Sequence, residues 1–588
     1  MAAKNLAKDI IKYVLDNPSK TIDMSLLKNK IVYATPKYYS EEQILFSMTP
    51  ARVRSVLKKV RKSILDDFKH LKSIAVLSTD SLSNLDVISA LGFLIDSDEF
   101  FQTIEAYIFD DKMGLSNAIY EAMSDRESDA EQYQKPHDPM FFLLLMEQFT
   151  YLEDRLCSHA RRFLFQEFSR SIDSDRIVIT QTFFKEIFYD FNSHIKGLIY
   201  QEESDDSSIA HFSIHFQIPI IQSPIETKGR KKICILCKKQ EIILNPKKNL
   251  LEQFHRQQQK NSVHEALNTS ILGDRYRFFA TISHPYDVDL VIDNPWFKGV
   301  IFHPEYLIAA KGSPLTIEEW VHFIRYIDLH CQQRSIIFRL PAFDNYVTTD
   351  DFEGEYPTKE KFYQLPLYYR NYLAAIADVM KESLSKISIH VPYVMKQSDV
   401  DEWMSSIKFM MKEFRYNNQF EIGFDLVFQS TIDHSKEFRK SKHIVFNLEA
   451  IIADYANHFR PYYDHVSLKL FKDSHAHAGI REAIQDYRRH YQPVEYLFIG
   501  FCLTNPTFFT GSLRAGYRNF GIHPSFIEDL TPIIDTRVKN KGRNNGVHAF
   551  NQARTKFYNE LREKLGPDAV IKVGTYKKML QEKEINIK

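Results

Sequence analysis

At 588 residues the chain is too long for one hydrophobic core and divides into about three domains. Hydrophobic residues make up 44% and charged residues 26%, the balance of an ordinary globular protein. The 76 basic residues cancel the 76 acidic ones, which excludes a bulk electrostatic pull toward nucleic acid or a membrane surface. Glycine is scarce, at 18 residues, or about 3% against an average near 7%. Loops that cradle phosphate need glycine for close backbone approach, so this scarcity weighs against phosphate chemistry. Five scattered cysteines give no disulfide framework and fit a reducing compartment. Cys234 and Cys237 match C-x-x-C, but on a strand residues three apart face opposite ways, so they read as structural. The first residues carry no secretory core, and the most apolar run, 140–146, is too short to span a bilayer. A cytoplasmic location with no membrane contact is expected.

In chain order, Leu6, Ile10, Ile11, Val14 and Leu15 predict an amphipathic helix that stops at Asn17-Pro18. A strand over 31–34 follows and belongs to the next domain. Val53, Val56, Leu57, Val60, Ile64, Leu65, Phe68 and Leu71 keep one helical face apolar; Arg52, Arg54, Lys58, Lys59 and Arg61 make the other basic. That basic face reads as solvated surface, or as a contact for an acidic partner. Further helices run over 88–123, broken at 96–98 and 110–111, and over 142–169. Residues 175–246 form a small α/β unit, with strands at 176–180 and 197–200 and a hairpin of 233–236 with 241–244. Between these strands and the hairpin, an acidic stretch over 202–208 leads into a helical stripe (Ile209, Phe212, Phe216) and a return strand at Ile218-Pro219-Ile220.

Residues 247–268 read as a linker helix. From Arg275, apolar strands alternate with amphipathic helices for about 250 residues, the pattern of a (β/α)8 TIM barrel. Strands are placed at 277–282, 299–302, 336–340, 387–391, 421–426, 443–447, 496–502 and 519–522. The resulting domains are 1–50 (an N-terminal extension with the first part of the α/β domain), 51–172 (helical), 173–246 (α/β), 247–269 (linker), 270–530 (barrel) and 531–588. The last is a tail, basic over 537–543, read as solvated or as a contact for nucleic acid or an acidic partner.

The layout of 197–221 resembles the phosphohistidine loop of the enzyme I family, the phosphoenolpyruvate-dependent protein phosphotransferases of the sugar phosphotransferase system. Residues 90–123 resemble that family's helical subdomain, and Asn245-Pro246 resembles the end of its swivelling domain. The resemblance covers roughly 50–530. It implies a swivelling phosphohistidine-like domain, a helical subdomain that docks the small carrier protein HPr, a barrel that binds phosphoenolpyruvate with Mg²⁺, and a homodimer.

Both glycines of the family loop are gone here, and Asp206 or Ser208 stands where the phosphorylated histidine belongs. A barrel of this type reacts at the carboxyl ends of its strands. There, Phe302-His303-Pro304-Glu305-Tyr306 is similar to the family's Tyr-Arg-Thr-Glu-Phe, putting His303 at a clamp-arginine position. Arg339 matches a second substrate arginine, but the glycine-rich run that follows in the family is replaced by Leu340-Pro341-Ala342. Ile422-Gly423-Phe424-Asp425-Leu426-Val427 resembles Ile-Gly-x-Met-x-Glu, with Val427 in place of the metal glutamate; Asp425 lies two residues back on the same face. Residues 444–460 align without a gap. Glu449-Ala450 stands in place of the family's Asn-Asp, so the second metal carboxylate is lost, and Arg460 is kept at a substrate position. Gly500-Phe501-Cys502 matches Gly-Met-Cys, which places Cys502 at the proton-donor position.

The resemblance therefore implies a scaffold with two arginines and the cysteine kept, and with the acceptor histidine and both metal carboxylates lost. The expected function is an enzyme I-like pseudoenzyme that needs no cofactor. It acts by binding an HPr-like carrier, a true enzyme I or an anionic metabolite such as phosphoenolpyruvate. Glu449 is expected to pair with Arg339 or Arg460. The alternative is an active transferase using Mg²⁺ and a relocated acceptor: His211 and His215, four apart on one helical face just after the altered loop, are the candidates. An enzyme of another type using Cys502 on the same barrel is a third reading. His475 and His477 read as surface histidines.

Overall fold

The computed structural model describes residues 12–14, 31–75, 95–134, 139–202, 209–225, 232–237, 241–247, 276–341, 367–392, 397–426, 443–448 and 495–530, single positions within these ranges excepted, and a few isolated positions besides. The chain divides into two compact units, Met1–Glu528 and Asp529–Lys588. Every element below belongs to the first.

Strands β1 (Lys12–Val14) and β2 (Ile31–Tyr38) open the chain. The described helices that follow are α1 (Glu41–Ser47), α2 (Pro50–Ala75), α3 (Asp98–Phe109), α4 (Leu115–Gln134) and α5 (Pro139–Ser169). The chain then returns through β3 (Arg176–Thr180), β4 (Ile195–Tyr200), α6 (Ile209–His215), β5 (Ile220–Gln222), β6 (Ile233–Leu236) and β7 (Glu241–Leu244). Seven strands pair in the order β1-β7-β6-β2-β3-β4-β5. β2 and β3 are parallel neighbours, so the long helices are an insertion in the connection between two adjacent strands.

The amphipathic stripe explains how the insertion packs. Val53, Val56, Leu57, Val60, Ile64 and Phe68 of α2 are buried against Phe100, Ile104, Ile119, Leu152 and Leu156. The three arginines of the basic face of α2 are paired within the molecule. Arg52 pairs with Glu167, Arg54 with Glu105 at 2.9 Å and Arg61 with Asp98 at 2.5 Å. Ser97 caps α3 by accepting from the Phe100 N–H at 3.2 Å, with Asp98 and Glu99 in the positive first turn. Among the described residues no helix is long and apolar enough to cross a membrane.

The amino-terminal helix expected through Val14 is not what forms. Lys12–Val14 is a strand, antiparallel to β7. Tyr13 and Val14 suit a strand, and the open edge of β7 offers unpaired backbone groups that an isolated short helix cannot match. Cys234 and Cys237 are unbridged and buried; burial pushes their thiols up to about 11 and about 12.

The second half is the barrel. β8 (Arg277–Ile282), β9 (Phe297–Phe302), α7 (Glu305–Lys311), α8 (Ile317–Cys331), β10 (Ser335–Arg339), α9 (Leu367–Met380), β11 (Ile387–Val391), α10 (Gln397–Glu413), β12 (Glu421–Leu426), β13 (His443–Asn447), β14 (Glu495–Ile499), α11 (Pro506–Ala515) and β15 (Asn519–Ile522) follow in order. Strands β8 to β15 pair in parallel and close, β15 against β8. Five of the eight match the expected ranges residue for residue. β14 stops at Ile499, before Cys502, because Gly500 adopts φ 141° and turns the chain into the 3₁₀ turn Phe501–Thr504. Ile301, Ile337, Val445, Leu497 and Ile499 form an apolar layer inside the barrel, a packed core below the carboxyl-end rim.

Candidate functional site: the barrel mouth

Successive strands deliver one buried ionic cluster to the rim. Arg339 ends β10, Asp425 sits one residue from the end of β12, and His390 lies on β11. His303 and Glu305 follow β9, Glu305 opening α7. All five are buried. Side chains alternate along a strand, so Gly423 and Asp425 share the inward face. Gly423 is opposite His390 in register. A Cβ at Gly423 would lie 2.4 Å from His390 Nε2, so only glycine lets that imidazole into the barrel.

Arg339 is clamped between two carboxylates. Its Nε donates to Asp425 Oδ2 at 2.5 Å and its Nη1 to Glu305 Oε1 at 2.6 Å. His303 Nδ1 is 3.3 Å from Glu305 Oε1, and His390 Nδ1 is 3.8 Å from Asp425 Oδ1. Burial pushes the Glu305 carboxyl up, but Arg339 and then His303 outweigh it and hold it below its usual range. Asp425 behaves alike, with Arg339 and His390 outweighing burial. Burial drives the His390 imidazole down against the pull of Asp425. One guanidinium thus faces two carboxylates. Glu305 Oε2, Asp425 Oδ1 and both His390 nitrogens have no hydrogen-bond partner among the described residues. Within those residues no group of three or more His, Cys, Asp or Glu is placed to hold a metal ion.

The α/β domain reaches this rim with an imidazole. His215, at the end of α6, has Nδ1 2.9 Å from Ser283 Oγ, just past β8, and hydrogen-bonds through Nε2 to the Tyr306 hydroxyl of α7. Its ring lies 3.8 Å from the Tyr306 ring, 4.9 Å from Phe501 and 6.1 Å from His303, centre to centre. His215 therefore stands over the ends of three barrel strands. Cys502 is buried in the turn beside Phe501.

Of the residues picked out from the sequence, His303, Arg339 and Asp425 meet in one cluster and His215 borders it, while Cys502 lies in the turn after β14. Asp206, Ser208, Val427, Glu449, Ala450, Arg460, His475 and His477 lie outside the described residues, as does the side chain of His211. Arg339 bonds Glu305 and Asp425, and its Nη1 lies 3.5 Å from His303 Nδ1. Glu305 and His390 were missed as site members. A histidine between the apolar Ile389 and Val391 in the short strand Ile387–Val391 was the available signal for His390.

No family model matches the chain, and no curated protein matches it. Among solved structures, an HpcH/Hpal aldolase/citrate lyase family protein from Burkholderia cenocepacia is 12% identical with a TM-score of 0.28, covering 47% of this chain and 99% of its own. A solution structure of Enzyme I is 12% identical with a TM-score of 0.20, over 40% and 92%. Dihydrodipicolinate synthase from Rhodopseudomonas palustris is 10% identical with a TM-score of 0.25, over 52% and 95%. The barrel and the seven-stranded sheet are established by the chain's own strand pairing.

Proposed function

We propose that the chain is an enzyme I-like protein that binds rather than reacts. Its partner is an HPr-like carrier or a true enzyme I, in the cytoplasm, and it forms a homodimer as the resemblance implies. The observation that carries this reading is the occupancy of Arg339. An anionic substrate would have to displace Glu305 and Asp425 from hydrogen bonds of 2.6 and 2.5 Å. It would also meet their charges, at about 1–4 kcal/mol per like-charge contact near 4 Å. A trianion such as phosphoenolpyruvate is disfavoured by that balance. The test is incubation of the full chain with isotopically labelled phosphoenolpyruvate and Mg²⁺. No label on the protein is expected, and acid-labile label on this chain sinks the proposal.

One observation favours a second reading, an active transferase with an atypical acceptor. His215 faces the rim, hydrogen-bonded to Ser283 and Tyr306. In that reading an imidazole nitrogen of His215 attacks phosphorus, the bond from phosphorus to the enol oxygen breaks, and the enolate carbon takes a proton to give pyruvate. Mg²⁺ would supply charge neutralisation. Label that appears on the wild-type chain and vanishes in His215→Ala would establish this reading over the first.

A further inference from the structure

A second cleft, of about 1150 Å³, lies between α2 and α5 of the helical layer and α8 on the flank of the barrel. It shares no residue with the cluster around Arg339. At its wall is Arg162 of α5, only 3% exposed. The guanidinium lies against the rings of Phe163 at 4.5 Å and Tyr189 at 5.0 Å, and Nη2 donates to Ser63 Oγ at 3.2 Å. Its Nε and Nη1 have no hydrogen-bond acceptor among the described residues; Asp190 and Glu319 feel its charge, but neither lies within ion-pair distance of it. Buried guanidinium donors left unmet in this way call for a ligand, an ion or water.

The other charges of the cleft are mostly committed. Asp67 holds Arg155 at 2.7 Å and His159 at 2.8 Å, Glu319 holds Lys311, Asp66 holds Lys69 at 2.8 Å, and Arg170 holds Glu167 at 2.7 Å. Asp190 accepts from Gln166 at 3.4 Å, and burial pushes its carboxyl up. Glu318 is exposed. Lys59 and Lys62 line the cleft from one face of α2, three residues apart, and neither has an ion pair among the described residues.

We propose that this cleft binds a small phosphate-bearing ligand, its phosphate held by Arg162 with Lys59 and Lys62. Arginine presents a planar fork of donors that suits phosphate oxygens, and lysine adds point charge at the mouth. The volume exceeds that of phosphate alone and leaves room for an organic group against Tyr286 and Phe323. A bound ligand would brace the helical layer against the barrel. This is independent of the barrel mouth, and the probe is inorganic phosphate, which donates no phosphoryl group.

The test is isothermal titration of the full chain with inorganic phosphate, with malonate in parallel. Saturable phosphate binding is expected, weakened at least tenfold in the double variant Lys59→Gln/Lys62→Gln and abolished in Arg162→Gln. Where Arg162→Gln fails to fold by circular dichroism, the exposed-side lysine variant decides. No saturable binding at millimolar phosphate, or an affinity unchanged in the lysine variant, overturns the proposal. Tighter binding of malonate than of phosphate overturns the ligand class.

Discussion

Replacing Arg339 with methionine tests the reasoning about the barrel mouth most directly. The guanidinium is 3% exposed and serves Glu305 and Asp425, themselves 4% and 1% exposed. Methionine fills similar space but leaves two carboxylates buried without their cation. Breaking a buried pair from one side costs about 3–5 kcal/mol. At about 2–4 °C per kcal/mol for a domain of this size, the barrel transition should fall by roughly 6–20 °C. The pH dependence gives the sharper check. In the wild type both carboxyls sit below their usual range, so the stability they contribute is present above the unfolded pKa of about 4 and lost as pH falls through the folded values. In the variant, burial is no longer outweighed by Arg339, and the same groups destabilise the fold once ionised. The loss should therefore be largest near pH 7.5 and shrink as pH approaches about 4. Adding Glu305→Gln and Asp425→Asn to Arg339→Met should recover most of it, since contacting groups are not additive. The assay is thermal unfolding followed by near-ultraviolet circular dichroism across that range. A fall under about 2 °C, or one equal at both ends of the range, would refute the picture of a cation clamped by two acids.

Asp287 is half-buried just past β8, and desolvation, outweighing backbone donors at His284 and Ser283, pushes its carboxyl up to about 7. Its contribution is present below the unfolded pKa and lost as pH rises to about 7. Asp287→Asn should thus stabilise increasingly from pH 4 to 7, by at most about 4 kcal/mol, then level off in denaturant titrations. Burial likewise drives His159 down to about 4 despite Asp67 at 2.8 Å. The helical layer should lose about 3 kcal/mol as pH falls from 6.5 to 4, and His159→Gln should flatten that slope in acid unfolding. Gly423→Ala would place a Cβ 2.4 Å from His390 Nε2; overpacking of this kind costs about 1–3 kcal/mol. A neutral effect on the unfolding midpoint would mean that the His390 ring does not occupy the barrel interior.

Much of the architecture was legible in the sequence because period decides face. The apolar stripe of 53–71 could only pack one way, and alternating strands and helices from Arg275 onward predicted eight barrel strands, with β8, β11, β12, β13 and β15 matching to the residue. Asp425 was legible as inward-pointing from the two-residue strand period alone. The short amino-terminal segment was misread because three residues of β1 take their conformation from the edge of β7, more than 200 positions later. What sequence alone determined was thus each element's type and inward face, since these follow from local geometry. Tertiary structure alone decided that Arg339 spends its donors on Glu305 and Asp425, that Gly423 makes room for His390, and that His215 sits on the rim. Those facts depend on which distant strands become neighbours, and the charge of a side chain says nothing about which opposite charge it will meet.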